Sequence, residues 1–190
     1  MNNKIKKGID PLHKISTIFL SYSWNDTDVA NSIDEYLSKN ANVSVKRDIR
    51  DIGVWKSIRE FMESIREQDY AVLVISDAYL KSSNCMFEVM EIMKEKKYED
   101  RIFPAVVNKT IYDPFVRAGY IEYWQKKCEE LERVIKTIDI VNTAEIIYEL
   151  KRYRSIASSI GEFLSLVADM NNPQIEDVKI QVVDVLLNRK

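Results

Sequence analysis

Short apolar runs alternate with amphipathic stretches along the first two thirds of the chain. Apolar runs at residues 16–22, 43–47, 70–75 and 102–107 predict four strands. The run 70–75 (YAVLVI) is apolar throughout, which is typical of a central strand covered on both faces. Pro104 predicts an edge position or an irregularity in the last strand, because proline cannot donate to a strand ladder.

The stretches between these runs have helical periodicity. Asp26 is placed to cap a helix that continues to about Lys39, and further helices are predicted over residues 55–67 and 83–97. Strands that alternate with helices predict an α/β fold, an open parallel sheet with helices on both faces.

The remainder of the chain is predicted to be helical, over residues 120–138, over 144–170 and in a last amphipathic segment near 175–186. These helices can pack on the sheet or on another copy of the chain, and the pattern leaves both open. The expected organisation is an N-terminal tail at 1–15, an α/β domain at 16–125 and a helical extension at 126–190.

Composition narrows the possible chemistry. The 190 residues carry a net charge of −2, which argues against a nucleic-acid binder that works by bulk charge. The longest apolar run has six residues, too short to span a bilayer, so no membrane contact is expected. The single histidine, His13, leaves little room for histidine-dependent catalysis. Cys85 and Cys128 form no CxxC pair, so no metal site is expected and a reduced, cytoplasmic setting fits best.

The carboxyl ends of parallel strands form the working edge of such a sheet. Polar and aromatic residues follow the first strand at 21–25, the second at 48–55, the third at 76–77 and 82–88, and the fourth at 108–109. The four glycines form neither GxGxxG nor a P-loop, so nucleotide binding through a glycine-rich turn is not supported.

Three blocks at this edge, FLSYSWND, RDIRDIG and YAVLVISDAYLKSSNCMFEVMEI, resemble the bacterial branch of the Toll/interleukin receptor (TIR) domain. The resemblance covers roughly residues 16–125 and implies a flavodoxin-like open parallel sheet. Tyr123 and Trp124 resemble the aromatic pair near the end of that domain. The loop 48–55 corresponds to the family's BB loop, with Gly53 expected to shape it if its φ is positive. The BB-loop residues are Ile49, Arg50, Asp51, Ile52, Gly53 and Val54.

Many bacterial TIR domains cleave NAD⁺ at the nicotinamide–ribose bond with a glutamate in a pattern close to S-x-x-W-C-x-x-E. Cys85 and Glu88 match C-x-x-E, Ser82 or Ser83 can serve as the serine, and Asn84 stands at the tryptophan position. The resemblance implies that Glu88 is catalytic and that NAD⁺ is a substrate, with no cofactor and no metal. Trp24 or Trp55 would replace the missing ring. The implied substrate-binding residues are Tyr22, Ser23, Trp24, Asp48, Trp55, Ser83 and Asn84.

One carboxylate suffices for this reaction. Nicotinamide in NAD⁺ is a cationic pyridinium and leaves without a general acid, so the enzyme need only stabilise a ribosyl cation and hold the ribose hydroxyls. Glycosidases use two carboxylates because their leaving alkoxide must be protonated.

Structural roles compete with these assignments. Cys85 is expected to be a small packing residue, and Glu88 could be a first-turn acid favoured by the helix dipole. Trp24 and Trp55 could pack, and Asp48 could orient its loop or contact the adenosine-side ribose. Asp77 suggests a response-regulator phospho-acceptor, but residues 21–23 (SYS) lack the paired acid that family needs.

The sequence thus predicts a TIR-family NAD⁺ glycohydrolase, or a cyclase that makes a cyclic ADP-ribose-type signal. Free-standing bacterial TIR proteins suggest antiphage defence as the setting, with a separate sensor or a nucleotide-signal effector protein as partner. The alternatives are a non-catalytic adaptor that self-associates through the BB loop, or a virulence-type TIR protein. Self-association, at least to a dimer, is expected in either case.

Overall fold

The computed structural model describes residues 15–47, 51–54, 56–139 and 143–188. Within these ranges it contains a parallel sheet of four strands in the order β2-β1-β3-β4. The predicted open parallel sheet is confirmed, with Pro104 in an edge strand as expected. The strands are β1 (Ser16–Ser21), β2 (Val43–Lys46), β3 (Tyr70–Ile75) and β4 (Ile102–Val106).

Helices surround the sheet on both faces. They are α1 (Thr27–Asn40), α2 (Ile58–Glu63), α3 (Asp77–Lys81), α4 (Ser83–Ile92), α5 (Pro114–Ile135), α6 (Ala144–Asp169) and α7 (Val178–Asn188). Short 3₁₀ turns occupy Trp24–Asp26, Ser64–Glu67, Tyr98–Asp100 and Lys109–Tyr112.

The central strand β3 divides the apolar core into two layers. Ala71, Leu73 and Ile75 join a layer formed with α4, α5 and α6. Val72 and Val74 face the other layer, with residues of α1 and α7. Both faces of β3 are therefore covered, which is why its sequence is a continuous apolar run rather than an alternating one.

The C-terminal helices pack on the sheet and not away from it. Ile156, Ile160 and Phe163 of α6 are fully buried in the same layer as β3. Trp124 of α5 is also buried, and its Nε1 donates to the carbonyl oxygen of Leu80 at 2.9 Å. Helix α5 continues through residue 125, where the α/β domain was expected to end. The sequence pattern left open whether these helices pack on the sheet or on another copy of the chain, and in the structure they pack on the sheet.

Several predicted helix boundaries were wrong. Helix α2 begins at Ile58 because Ser57 caps it, accepting from the Glu60 N–H at 3.2 Å. Helix α4 ends at Ile92, and α5 begins at Pro114, six residues before its predicted start. Asp26 occupies the N-cap position of α1 without a side-chain cap hydrogen bond. Its carboxylate instead accepts from Ser76 Oγ at 2.6 Å, which joins the ends of β1 and β3.

Candidate functional site

A cleft of about 330 Å³ opens at the carboxyl edge of β1 and β3. Three segments form its walls: the turn that follows β1, helix α2 with part of the loop before it, and the first turns of α4. The described lining residues are Tyr22, Ser23, Trp24, Ile52, Ile58, Phe61, Met62, Ser82, Asn84, Cys85 and Glu88.

Among the described lining residues, Glu88 is the one with a carboxylate. Ser82 sets the start of α4 by accepting from the Cys85 N–H at 3.3 Å, and this cap places Glu88 on the side of the helix that faces β1. The side chain is only 6% exposed, yet it lines the cleft. Ser21, the last residue of β1, donates its hydroxyl hydrogen to Glu88 Oε2.

A buried tyrosine continues this hydrogen-bond chain. The Tyr79 hydroxyl lies 2.8 Å from Ser21 Oγ. Ser21 has one hydroxyl hydrogen and gives it to Glu88, so Tyr79 must be the donor to Ser21. Burial, followed by the proximity of Cys85 and Glu88, raises the pKa of Tyr79 well above its usual value. The phenol therefore stays protonated, and the chain runs in one direction, from phenol to hydroxyl to carboxylate.

A second buried network holds Tyr22 at the cleft wall. Arg47 follows β2 and is almost fully buried. Its Nη2 donates to the Tyr22 hydroxyl at 2.8 Å, and its Nη1 lies 3.3 Å from Asp34 Oδ2. The Arg47 backbone N–H donates to Asp51 Oδ2 at 2.7 Å, while the Asp51 N–H donates to the Arg47 carbonyl at 2.9 Å. These two reciprocal hydrogen bonds orient the backbone just before Ile52, which lines the cleft.

Helix α6 reaches the rim of the cleft through Arg152. Its Nη2 donates to Asn84 Oδ1 at 3.2 Å and to the Ser83 carbonyl oxygen at 3.1 Å. Asn84 itself is exposed and lines the cleft. Asn84, which stands where the sequence resemblance implies a tryptophan, is thus an amide that a second helix holds.

The structure brings together six of the predicted site residues: Tyr22, Ser23, Trp24, Ile52, Asn84 and Glu88. Of the two candidate serines, Ser82 lines the cleft and Ser83 does not. Trp24 is 71% exposed at the rim, so it does not serve as a core residue. Asp48, Ile49, Arg50 and Trp55 lie outside the described residues, and Asp51, Gly53 and Val54 are described but are not among the lining residues.

Two other expectations concern Gly53 and Cys85. Gly53 does not have a positive φ, so the condition under which a glycine was expected to shape this loop is not met. A Cβ at this position would approach the Lys56 Cγ to 3.1 Å, which a flexible side chain can relieve. Cys85 is buried and forms no disulfide, and its Sγ donates to the Tyr22 carbonyl oxygen at 3.5 Å.

Sequence reasoning did not find Tyr79 or Arg152. Tyr79 lies in a five-residue helix that no periodicity marks, and Arg152 is one of many charged residues on a long helix. The described residues contain no group of three or more His, Cys, Asp or Glu side chains that could hold a metal ion. In the described part of the chain, no helix is both long and apolar enough to cross a membrane.

The parallel sheet with a carboxylate-bearing cleft at its carboxyl edge defines an α/β domain of flavodoxin-like architecture. The family model described as "TIR domain" matches residues 18–135, more than half of the chain. The chain therefore belongs to the TIR domain family. No curated protein matches it.

Proposed function

We propose that the protein is an NAD⁺ glycohydrolase that cleaves the bond between nicotinamide and ribose and yields ADP-ribose or a cyclic form of it. The observation that carries the proposal is the Glu88 carboxylate, which lies at the cleft wall and accepts from Ser21. The TIR family, some of whose bacterial members perform this reaction, supplies the chemical context.

The chemistry needs one well-placed negative charge. The C1′–N bond breaks with its electron pair going to the nicotinamide nitrogen, so the leaving group departs neutral and needs no proton. Positive charge develops on the ribose, and a preorganised carboxylate such as Glu88 stabilises it. Water then adds to C1′ and loses a proton, or an adenine nitrogen of the same molecule adds and closes a ring.

The remaining cleft wall suits a flat aromatic group. Ile58, Phe61 and Met62 of α2 give one apolar side, and the Trp24 ring stands at the rim. A pyridinium ring can rest on such side chains while its ribose lies near the carboxylate. The cleft volume of about 330 Å³ falls within the range of small-molecule sites.

Replacement of Glu88 by glutamine tests the proposal. Glu88→Gln keeps the side-chain shape but removes the charge, and loss of one preorganised electrostatic partner lowers turnover by about 10²–10³-fold. Nicotinamide release is measured from protein concentrated enough to assemble. NAD⁺ affinity should change much less than turnover, because the charge matters most in the transition state.

Glu91 provides the matched control. It lies on the same helix, is 3% exposed, and pairs with Lys94 and with Arg66 Nη1 at 3.9 Å, but it does not line the cleft. Glu91→Gln should keep wild-type turnover even if its thermal midpoint falls. Equal turnover in Glu88→Gln and wild type would refute the catalytic assignment.

A non-catalytic adaptor is the second candidate, and exposed apolar residues near the cleft favour it. Val54 is 79% exposed and Ile58 is 55% exposed beside the exposed Trp24 ring. Such a patch is typical of an interaction surface. The adaptor requires a mass above that of a monomer by light scattering, together with no nicotinamide release from the wild-type protein. The glycohydrolase requires release, whether or not it also self-associates.

The proposed setting is bacterial antiphage defence in the cytoplasm, where a separate sensor activates the enzyme or a separate effector reads a nucleotide product. The resemblance to free-standing bacterial TIR proteins supports this setting. A virulence-type TIR protein that acts on host signalling is the alternative.

A further inference from the structure

Arg152 is held in one place by contacts on several sides. Its Nη1 donates to Glu149 Oε1 at 2.7 Å, and its guanidinium lies over the Phe87 ring, 4.7 Å from the centroid. Its Nη2 donates to both the Ser83 carbonyl oxygen and Asn84 Oδ1. The Arg152 side chain is only 12% exposed. A guanidinium fixed in this way presents its donors to α4 in a constant geometry.

These contacts determine which way the Asn84 amide faces. Arginine can only donate, so the amide atom against it must be the oxygen. The two N–H donors on Asn84 Nδ2 are then the polar atoms that this side chain can offer to a ligand. Asn84 lines the cleft one helical turn before Glu88, so a group next to the Glu88 carboxylate lies within reach of those donors.

The surrounding charge indicates what kind of acceptor the amide suits. Glu149 pairs with Arg152 at 2.7 Å and offsets its charge, so among the described residues this side of the cleft offers a neutral amide donor. A neutral carbonyl oxygen matches such a donor better than a phosphate does. The leaving nicotinamide carries a carbonyl oxygen on its carboxamide, and that oxygen becomes a better acceptor as the ring loses its positive charge.

We propose that Asn84 donates a hydrogen bond to the carboxamide oxygen of the leaving nicotinamide, and that Arg152 is the positioning residue that fixes the amide for this role. The inference rests on the proposed function. Because the acceptor improves as the C1′–N bond breaks, the hydrogen bond is stronger in the transition state than in the bound substrate. Its loss therefore lowers kcat more than it raises KM.

The test compares NAD⁺ with thionicotinamide adenine dinucleotide, in which a weakly accepting sulfur replaces the carboxamide oxygen. Asn84→Ala removes the donors at an exposed position. It should lower kcat/KM for NAD⁺ by about fivefold to tenfold, the effect of one hydrogen bond, and should lower kcat/KM for the analogue much less. The ratio of kcat/KM for NAD⁺ to kcat/KM for the analogue therefore falls by nearly the same factor.

Arg152→Met tests the positioning role. It keeps an unbranched apolar side chain against Phe87 but frees the Asn84 amide to turn. Arg152→Met should lower the NAD⁺-to-analogue ratio relative to the wild-type protein. The double variant Asn84→Ala with Arg152→Met should have the same ratio as Asn84→Ala alone. Thermal midpoints identify any variant that has lost its fold, and Asn84→Ala alone still decides the main claim.

An unchanged ratio in a folded, active Asn84→Ala protein would overturn the inference and leave the proposed function standing. An equal fall on both backgrounds would overturn the role of Arg152. Absence of nicotinamide release from the wild-type protein would overturn the proposed function, and the inference with it.

Discussion

Two buried glutamates on α4 have different partners. Glu91 is bound to the cations Lys94 and Arg66, as expected of a structural ion pair. Glu88 accepts from the neutral hydroxyl of Ser21, which is itself bound to Tyr79. The Ser21 hydrogen bond gives the Glu88 carboxylate a fixed orientation at the cleft wall.

Removal of the Ser21 hydroxyl should lower the rate of nicotinamide release. The hydroxyl donates to Glu88 Oε2 and orients the carboxylate. Ser21→Ala removes this hydrogen bond and should lower kcat by about tenfold, the equivalent of one charge-assisted hydrogen bond. Steady-state assays of nicotinamide release measure kcat and KM for both proteins.

Ser21→Thr serves as the control, because it keeps the hydroxyl and should keep a kcat close to that of the wild type. Equal kcat values for Ser21→Ala and the wild-type protein would argue that Ser21 is only a packing residue.

Site residues that lie close together in the sequence could be predicted from it. Glu88 and Asn84 could be found because they follow Ser82 and flank Cys85 on one helix. Tyr79 and Arg152 could not, because each meets the site through a contact between elements distant in the chain. Ser82 and Ser83 differ by one position, and only the N-cap geometry of α4 shows that Ser82 faces the cleft.

Helix α3 has five residues, and α5 stabilises it. Asp77 at its first turn accepts from the Tyr120 hydroxyl at 3.1 Å and pairs with Lys81 at 2.8 Å. The Lys81 hydrogen bond is the main reason that the pKa of Asp77 lies below its ordinary value. Because this helix carries Tyr79, its attachment to α5 also holds the hydrogen-bond chain behind Glu88.

Tyr120→Phe should change how stability depends on alkaline pH. Burial, with the Asp77 hydrogen bond and charge, raises the pKa of Tyr120 to about 12. The contribution of Tyr120 to the free energy of unfolding is present below the unfolded-state pKa of about 10 and is lost as the pH rises toward 12. Near neutral pH, Tyr120→Phe should be less stable than wild type by about 1 kcal/mol because it lacks the hydrogen bond.

The stability difference between the two proteins should then narrow between pH 10 and pH 12, the range set by the raised pKa. Urea unfolding of both proteins at several pH values measures it. The other buried tyrosines are present in both proteins and cancel in the comparison. A constant difference across this range would contradict the role given to Tyr120.

Elements with strong local signals were predictable, and those fixed by caps or tertiary contacts were not. The apolar run of β3 indicated a central strand, because only a strand covered on both faces has this composition. Hydrophobic periodicity did not predict the start of α5, although the sequence contains a capping signal there. Asp113 caps the helix and Pro114 follows at its first position. Helix α3 has too few residues to show a period.

The helices beyond residue 125 are part of one folded unit. Phe163 on α6 is fully buried in the layer that also contains Leu73 of β3 and Trp124 of α5. The pattern showed that α6 has an apolar face but did not show what covers it. The structure shows that β3, α4 and α5 contribute the buried residues that pack against it.

Truncation of Phe163 should therefore destabilise the whole molecule. Phe163→Ala removes a buried ring and should lower the free energy of unfolding by about 3–5 kcal/mol. Ile147→Ala on the same helix removes a side chain that is 37% exposed and should cost much less. Urea unfolding followed by both circular dichroism and tryptophan fluorescence gives the comparison.

A single transition with the same midpoint by both probes is expected for both variants. If Phe163→Ala gave two separate transitions, or cost no more than Ile147→Ala, α6 would be an independent appendage and not part of the core.

The purely parallel sheet also affects how the protein reaches its native state. Parallel neighbours cannot be joined by a tight hairpin, so each strand must find its partner across an intervening helix. Thr17 meets Asp69 over 52 positions, and Ser21 meets Glu88 over 67. Long-range closures of this kind slow folding, since chain entropy is lost before the contacts form. During synthesis on the ribosome, Ser21 therefore emerges well before its acidic partner, and the site completes only after β3 and α4 have joined the sheet.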